Sequence, residues 1–139
     1  MEKQKILIAD DSEMNRALLV DILENQYDIV EADNGAAAID LLIQCGGDFS
    51  LLLLDIMMPE MDGFEVLAYI NRYHLNDTLA VIMISADDSP ANIKRAYDLG
   101  AFDYISRPFD AAIVRRRISN TMLLYARQRH LENIIAEQF

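Results

Sequence analysis

Short apolar runs alternate with segments of helical period along the chain. A short continuous apolar run is typical of a buried strand, whereas apolar positions three and four residues apart are typical of one helix face. The predicted strands β1 to β5 cover residues 5–9, 27–31, 50–54, 79–84 and 102–105. The predicted helices α1 to α5 cover residues 13–24, 35–43, 63–73, 90–99 and from 111 onward. Such β-α units predict a parallel sheet with right-handed crossovers and helices on both faces.

The distribution of apolar and polar residues within the strands also predicts their order in the sheet. β1, β3 and β4 are continuously apolar (ILIA, LLLL and LAVIMI), as expected when helices cover both faces of a strand. β2 and β5 (YDIVE and FDYIS) carry polar residues at alternate positions, so they should lie at the edges. This predicts the strand order 2-1-3-4-5 of a doubly wound, flavodoxin-like (βα)5 sheet with an extended C-terminal helix.

Composition limits the class of protein. The chain has 139 residues, a length that fits one domain with an ordinary core. Its net charge of −11 repels a phosphate backbone, so we expect no direct nucleic-acid binding, and we interpret the arginines at 115–117 as a solvated helix face or ion-pair partners. The single cysteine excludes an internal disulfide. Since no apolar run suits a signal peptide or membrane span, we expect a cytoplasmic protein with no membrane contact.

Three aspartates are predicted to meet at one edge of the sheet. In an open α/β sheet, ligands bind beyond the carboxyl ends of the strands where the strand order reverses. Here that point lies between β1 and β3; Asp10 and Asp11 follow β1, and Asp55 follows β3. Two unit charges about 5 Å apart repel by roughly 3 kcal/mol at an effective dielectric of about 20, so a cation should compensate them. A few hard oxygen ligands with room for water and phosphate suit Mg²⁺ better than Ca²⁺.

Two further side chains should border this site. Ser85 ends β4 with a hydroxyl group, and Arg107 follows β5 with a fixed positive charge. They supply a hydrogen-bond donor and a cation where a phosphoryl group on Asp55 would carry negative charge, which is the usual assistance to phosphoryl transfer. Each alone also has an ordinary interpretation, as a helix cap or a solvated surface residue.

Four stretches of the sequence resemble the receiver domain of bacterial two-component response regulators. They are ILIADD at 6–11, LLLLDIMMPEMDG at 51–63, ISA at 84–86 and GAFDYISRPF at 100–109. The motif after β3, with Pro59, Met61, Asp62 and Gly63 in register, is highly specific. The resemblance covers residues 4–120 and implies a signalling module whose chemistry is limited to self-catalysed phosphotransfer and autodephosphorylation, with no stand-alone enzyme activity.

The resemblance implies a role for each acidic residue. Asp55 would be the phospho-acceptor of a phosphorelay. The donor would be a phosphohistidine on a sensor histidine kinase or a histidine phosphotransfer protein. Asp10 and Asp11 would hold Mg²⁺, directly or through water, together with Asp55 and the backbone carbonyl of Met57.

The resemblance also implies a switch. Ser85 would be the switch hydroxyl, and Tyr104 the aromatic side chain that changes rotamer as the α4-β5-α5 surface is remodelled. Arg107 and Pro108 occupy the position of a Lys-Pro pair whose peptide bond is typically cis. Arginine is not a conservative replacement where a compact ammonium is required, so phosphoryl contact can survive while coupling to the switch weakens. A pseudo-receiver that docks partners or dimerises without phosphorylation is therefore the alternative.

Two other classes fit the residues less well. An aspartate-nucleophile phosphatase of the haloacid dehalogenase type places two aspartates two residues apart on the first strand, whereas Asp10 and Asp11 are adjacent. A flavodoxin-like FMN binder needs a Ser/Thr/Gly-rich phosphate loop after β1, and the sequence DDSE at 10–13 is too acidic for one.

The last predicted helix extends past the expected core. We assign residues 1–122 to the receiver domain and 123–139 to a helical extension. The positions expected to face the sheet are Ile113, Val114, Ile118, Met122 and Tyr125. The 4-3-4-3 spacing of a coiled-coil seam is carried by Leu124, Gln128, Leu131, Ile135 and Gln138.

An extension of this kind needs a surface to cover it. We expect a homodimer, formed through this helix or through α4-β5-α5, and a tail folded back on its own domain is the alternative. The pattern also stops at Phe139 without a cap. This end suggests a fragment whose continuation carries the output domain.

Overall fold

A five-stranded parallel sheet in the order β2-β1-β3-β4-β5 organises the chain. The computed structural model describes residues 3–76, 78–87 and 89–137. The strands are β1 (Lys5–Ala9), β2 (Asp28–Ala32), β3 (Phe49–Asp55), β4 (Ala80–Ser85) and β5 (Asp103–Ser106). The predicted order is confirmed, with the partly exposed β2 and β5 at the two edges.

α-Helices follow each strand. They are α1 (Glu13–Leu23), α2 (Gly35–Cys45), α3 (Gly63–Arg72), α4 (Pro90–Asp98) and α5 (Ala111–Glu137), and a 3-10 turn (Gly46–Asp48) follows α2. The side chains of Ser12, Asp62 and Ser89 cap α1, α3 and α4 by accepting hydrogen bonds from backbone N–H groups of the first turn. These caps fix where the helices begin, and so they fix the loops that leave the carboxyl ends of the strands.

Apolar side chains fill both faces of the sheet. Leu52 and Leu54 of β3 pack in one layer with α2, α3 and α4, whereas Leu51 and Leu53 pack in the other with α1 and α5. All four side chains are fully buried. Successive side chains of a strand point to opposite faces of the sheet, so β3 contributes to both core layers. This explains why β3 is an unbroken apolar run.

α5 packs on the sheet only along its first half. Its buried residues are Val114, Ile118, Thr121 and Met122. The prediction that Ile113 faces the sheet is wrong, because that residue is 51% exposed. Positions 114, 118, 121 and 122 form one helix face, and residue 113 precedes it by about 100° of helix rotation.

The second half of α5 extends away from the core. Residues 126–137 are exposed, apart from the half-buried Arg129. Gln138 and Phe139, which belong to the predicted seam and chain end, lie outside the described residues. Within the described ranges, no helix combines the length and the apolar character needed to cross a bilayer.

Candidate functional site

The predicted acidic cluster forms at the carboxyl ends of β1 and β3. Ala9 pairs in register with Leu54, so the next residues on the two strands, Asp10 and Asp55, lie side by side. One carboxylate oxygen from each of Asp10, Asp11 and Asp55 lies within 4.8 Å of the others. Asp10 and Asp55 are buried and Asp11 is exposed. The site therefore has two interior carboxylates and one at its open side.

Three hydrogen bonds fix Asp10. Its N–H donates to the carbonyl of Ala32 at 3.1 Å, and its own carbonyl accepts from Nη1 of Arg16 at 2.7 Å. Its Oδ1 accepts from the N–H of Ser12 at 2.9 Å. Its Oδ2 is buried and has no hydrogen-bond partner among the described residues. Since buried polar atoms are nearly always partnered, this oxygen is available to a cation or to a proton shared with the neighbouring Asp55.

Asp55 is buried beside this second negative charge. Its Oδ1 accepts hydrogen bonds from Nη2 of Arg107 at 2.7 Å and from the N–H of Met57 at 3.3 Å. Burial, and then the charge of Asp10, raise the pKa of Asp55 to about 7, against the lowering effects of Arg107 and the Met57 N–H. A cation beside both carboxylates would favour the ionised, nucleophilic form of Asp55.

Arg107 reaches Asp55 from the end of β5. Its N–H donates to the carbonyl of Ser85 at 3.0 Å, which continues the pairing of β4 with β5. The peptide bond between Arg107 and Pro108 is cis, as the resemblance implies. The Nε of Arg107 is buried and has no hydrogen-bond partner in the part of the chain that the structure describes. The site thus has an unused buried donor on Arg107 as well as the unused buried acceptor on Asp10.

Ser85 and Tyr104 are joined through one backbone segment. Ser85 follows Ile84, the register partner of Asp55, and it is fully buried. Its Oγ accepts from the N–H of Asp87 at 3.0 Å, and the hydroxyl of the buried Tyr104 donates to the carbonyl of Asp87. The structure therefore brings the two predicted switch residues together, although the switch itself stays a prediction.

Gly63 packs against the backbone of the candidate phospho-acceptor. Its N–H donates to the carbonyl of Ile56 at 2.8 Å. A Cβ at this position would lie 2.3 Å from the carbonyl oxygen of Asp55. Only glycine permits this close approach, so the sequence DG at 62–63 both caps α3 and holds it against the end of β3.

Sequence reasoning missed contacts made by three residues. Arg16 was missed although a signal existed, because it lies one turn into a helix that begins beside Asp10. Arg117 of α5 donates to the carbonyl of Tyr104, a contact that side-chain patterns do not reveal. Asp87 acts through its backbone, which no residue type signals.

Met57 contacts the site through its backbone. Its side chain is 66% exposed, and its described contact with the site is the backbone N–H that binds Asp55. The role of its carbonyl in holding a cation therefore stays a prediction.

Comparison with known proteins identifies relatives along most of the chain. The family model described as the response regulator receiver domain matches residues 6–119. The chain is 35% identical over 123 residues to the chemotaxis protein CheY of Halobacterium salinarum, which covers 88% of this chain and 98% of that protein. It is 34% identical over 127 residues to the transcriptional regulatory protein SrrA of Staphylococcus aureus, covering 85% of this chain and 51% of that protein.

Relatives of this chain differ greatly in length. A protein of Vibrio cholerae named "Probable cyclic di-GMP phosphodiesterase" is 35% identical over 113 residues, which is 81% of this chain. The chain spans 25% of that relative, 51% of SrrA and 98% of the CheY of Halobacterium salinarum. The activities of the longer relatives therefore do not transfer with the match.

Solved structures agree with the family match. The receiver domain of the Francisella response regulator 1452 superimposes with a TM-score of 0.80 at 27% identity, over 88% of this chain and 99% of that chain. A CheX-CheY-BeF3-Mg²⁺ complex from Borrelia burgdorferi gives a TM-score of 0.78 at 30% identity, over 84% of this chain and 87% of that chain.

Receiver domains are signalling modules without stand-alone enzyme activity, and they bind Mg²⁺ at an acidic pocket. They interact with histidine kinases or phosphotransfer proteins. The acidic cluster at the ends of β1 and β3 and the match over residues 6–119 lead to one conclusion. This chain belongs to the receiver domain family of response regulators.

Proposed function

We propose that this chain is a phospho-acceptor whose Asp55 takes a phosphoryl group from a phosphohistidine. One observation carries the proposal: the buried Asp55 lies beside Asp10 and is bonded to Arg107, and each of these neighbours has an unused buried atom, the acceptor Oδ2 of Asp10 and the donor Nε of Arg107. A cation would satisfy the acceptor, and a phosphoryl oxygen would satisfy the donor. A purely structural aspartate would need neither.

The oxygen donors of the site fit Mg²⁺. Asp10, Asp11 and Asp55 offer carboxylate oxygens within 4.8 Å of one another, and the exposed Asp11 leaves one side open to water and phosphate. We assign the backbone carbonyl of Met57 as a further ligand. Bound there, the cation would neutralise the carboxylates and the negative charge of the incoming phosphoryl group.

The proposed transfer forms one bond and breaks one. A carboxylate oxygen of Asp55 attacks the phosphorus, the P–N bond of the phosphohistidine breaks, and its electron pair stays on the imidazole nitrogen. The product is an acyl phosphate on Asp55. Arg107, which already contacts Oδ1 of Asp55 at 2.7 Å, and the hydroxyl of Ser85 supply a cation and a donor for the phosphoryl oxygens. The donor protein is a sensor histidine kinase or a phosphotransfer protein.

The proposed output is a population shift of the α4-β5-α5 surface. The N–H of Asp87 binds Ser85 and its carbonyl binds Tyr104. Movement of Ser85 toward a phosphoryl group would remove the first of these hydrogen bonds and loosen the segment that holds Tyr104. Both states exist before phosphorylation, and the phosphoryl group favours one of them.

Intact-protein mass spectrometry after incubation with Mg²⁺ and acetyl phosphate tests the assignment of Asp55. We expect one phosphoryl group on the wild-type chain and none on Asp55→Asn. Asp40→Asn, an exposed substitution of the same chemistry on α2, is the matched control and should be labelled like the wild type. Labelling of Asp55→Asn, or labelling in excess chelator, would contradict the proposal. A wild-type chain without label would support the docking module that needs no phosphorylation.

We further propose that two copies of this chain pair through the extension of α5. Five aliphatic side chains there are between 37% and 59% exposed: Leu123, Leu124, Leu131, Ile134 and Ile135. With Leu124 and Leu131 at d, Gln128 and Ile135 fall at a. In a parallel pair, Arg127 at g then faces Glu132 at e of the partner, and the two charges are opposite.

Light scattering on the whole chain and on a version ending at Tyr125 tests this pairing. We expect a dimer for the whole chain at high micromolar concentration and a monomer for the shorter one. Equal monomeric masses would contradict the proposal, and equal dimeric masses would favour pairing through α4-β5-α5.

A further inference from the structure

We infer that Arg107 binds phosphorylated Asp55 with two donors, Nη2 on Oδ1 and Nε on an oxygen of the attached group, and that it holds this group more tightly than lysine would. The inference rests on the proposed function of Asp55. It concerns the position at which the resemblance implies a lysine and this chain has Arg107.

On one edge of the Arg107 guanidinium, one of the two N–H donors is hydrogen-bonded and the other is not. Its Nη2 donates to Oδ1 of Asp55 at 2.7 Å, while its Nε is buried without a partner among the described residues. The Nε–H and one Nη2–H bond of any guanidinium lie on the same edge, point in the same direction and match the spacing of two oxygens on one carboxylate or phosphate. The unused donor is therefore directed to the side on which Asp55 lies.

The surroundings of Arg107 keep this donor available. Its side chain is 21% exposed, and the Nε atom itself is buried. Its N–H is bonded to the carbonyl of Ser85 at 3.0 Å, which fixes the backbone from which the side chain extends. A buried charged donor without an acceptor is unfavourable, and an oxyanion on Asp55 removes that penalty.

Lysine cannot present the same edge. Its ammonium is a compact point charge on a flexible chain, whereas the guanidinium edge is planar and has both donors in fixed positions. Arg107 can keep Oδ1 of Asp55 on Nη2 while Nε binds an oxygen of the attached group. One additional charge-assisted hydrogen bond corresponds to about a tenfold gain in affinity.

Beryllofluoride, a tetrahedral mimic of the phosphoryl group, provides a test on the full chain with Mg²⁺. The Nε–H signal of Arg107 is followed by 15N NMR and assigned by its absence in Arg107→Lys. We expect the signal to move on addition of beryllofluoride, and the affinity of Arg107→Lys to be about tenfold lower than that of the wild type. Arg115→Lys, the same substitution at an exposed position of α5, should bind like the wild type.

The outcomes separate the inference from the proposed function. A wild-type chain that does not bind beryllofluoride with Mg²⁺ would contradict the role of Asp55 itself. A wild-type chain that binds it with an unmoved Nε–H signal, or with the same affinity as Arg107→Lys, would overturn the inference alone. If Arg107→Lys fails to fold, the Nε–H signal is assigned with Arg107→Gln instead. Movement of that signal in the wild-type chain then supports the inference, and an unmoved signal overturns it.

Discussion

The carboxyl end of the sheet and the distal half of α5 are incomplete in different ways. At the sheet end, most polar atoms of buried side chains are hydrogen-bonded. Among the described residues, the only buried side-chain nitrogen or oxygen atoms without a hydrogen-bond partner are Oδ2 of Asp10 and Nε of Arg107. Along residues 126–137, nearly every side chain is exposed, and aliphatic groups such as Leu131 contact solvent. The first region needs small charged ligands, whereas the second needs an apolar surface.

The two regions obtain their stability from different sources. The site is held by two packed layers of core on either side of β3, so it can tolerate two unsatisfied atoms. The distal half of α5 depends on helix propensity and short-range pairs, which contribute little in water. Substitutions should therefore have large effects around the site and small ones in the extension while the chain is monomeric.

Leucines in the two regions should differ most. Leu53→Ala removes a fully buried side chain of β3 and should lower the free energy of unfolding by about 4 kcal/mol. Leu131→Ala removes a side chain that is 59% exposed and should change it by less than about 0.5 kcal/mol in dilute solution. Urea denaturation followed by circular dichroism measures both. Similar losses would show that Leu131 is covered in the monomer, as by a tail folded back on its domain.

A methyl group at Gly63 should be almost as damaging. Gly63→Ala places a Cβ 2.3 Å from the carbonyl oxygen of Asp55, and the expected loss of stability is about 3 kcal/mol because backbone must move. Gly47→Ala is the matched control, since its Cβ would meet nothing within 4 Å. Thermal unfolding of the two variants measures the difference. Equal midpoints would mean that α3 can shift away from β3 without cost.

Removing one of the paired buried charges should stabilise the cation-free protein. The folded-state pKa of Asp55 is raised from 3.8 to about 7, first by burial and then by Asp10. Its contribution to stability is therefore fully present below pH 4 and is lost as the pH rises through 7. Asp55→Asn removes that loss and should be more stable than the wild type by on the order of 2 kcal/mol at pH 8.

Urea titrations in chelator at pH 5 and pH 8 measure this effect of Asp55→Asn. The advantage of the variant should be greater at the higher pH. An advantage independent of pH would show that packing and not charge determines the change.

The ion pair of the extension should matter least. Nη1 of Arg129 lies 3.1 Å from Oε2 of Glu132, and both side chains are at least 41% exposed. Arg129→Gln should change the free energy of unfolding by less than about 0.5 kcal/mol. Chemical denaturation at low and high salt measures it. A loss above about 1.5 kcal/mol would indicate that the pair is buried against another surface.

Most of the fold could be predicted from the sequence because its signals are periodic. The apolar runs of β1, β3 and β4 and the polar alternation of β2 and β5 determine the strand order, and the predicted ends of the elements differ from the observed ones by at most two residues where both are defined. Ile113 was placed wrongly because an apolar residue at the border of a helix face satisfies the pattern on either side. Thr121 was missed because its buried position in α5 is occupied by a polar residue.

The sequence was enough to predict which residues of the site lie close together. Strand order alone brings Asp10, Asp55 and Arg107 to one edge. The exposure of Asp11, the contact of Arg16 and the two unpartnered atoms depend on side-chain rotamers, which no pattern in a single sequence specifies.

The hydrogen bonds of Arg16 have a mechanical consequence. Its guanidinium joins the carbonyl of Asp10 to the carboxylate of Glu31, and so it ties together an interior strand, a helix and an edge strand. On its other side the site is bordered by Arg107, which follows the four-residue edge strand β5. We therefore expect the Arg107 side of the site to move more readily than the Asp10 side. A phosphoryl group bound between Arg107 and Asp10 should therefore displace mainly Arg107. The movement should spread toward β5 and α5 and leave β1 and β2 in place.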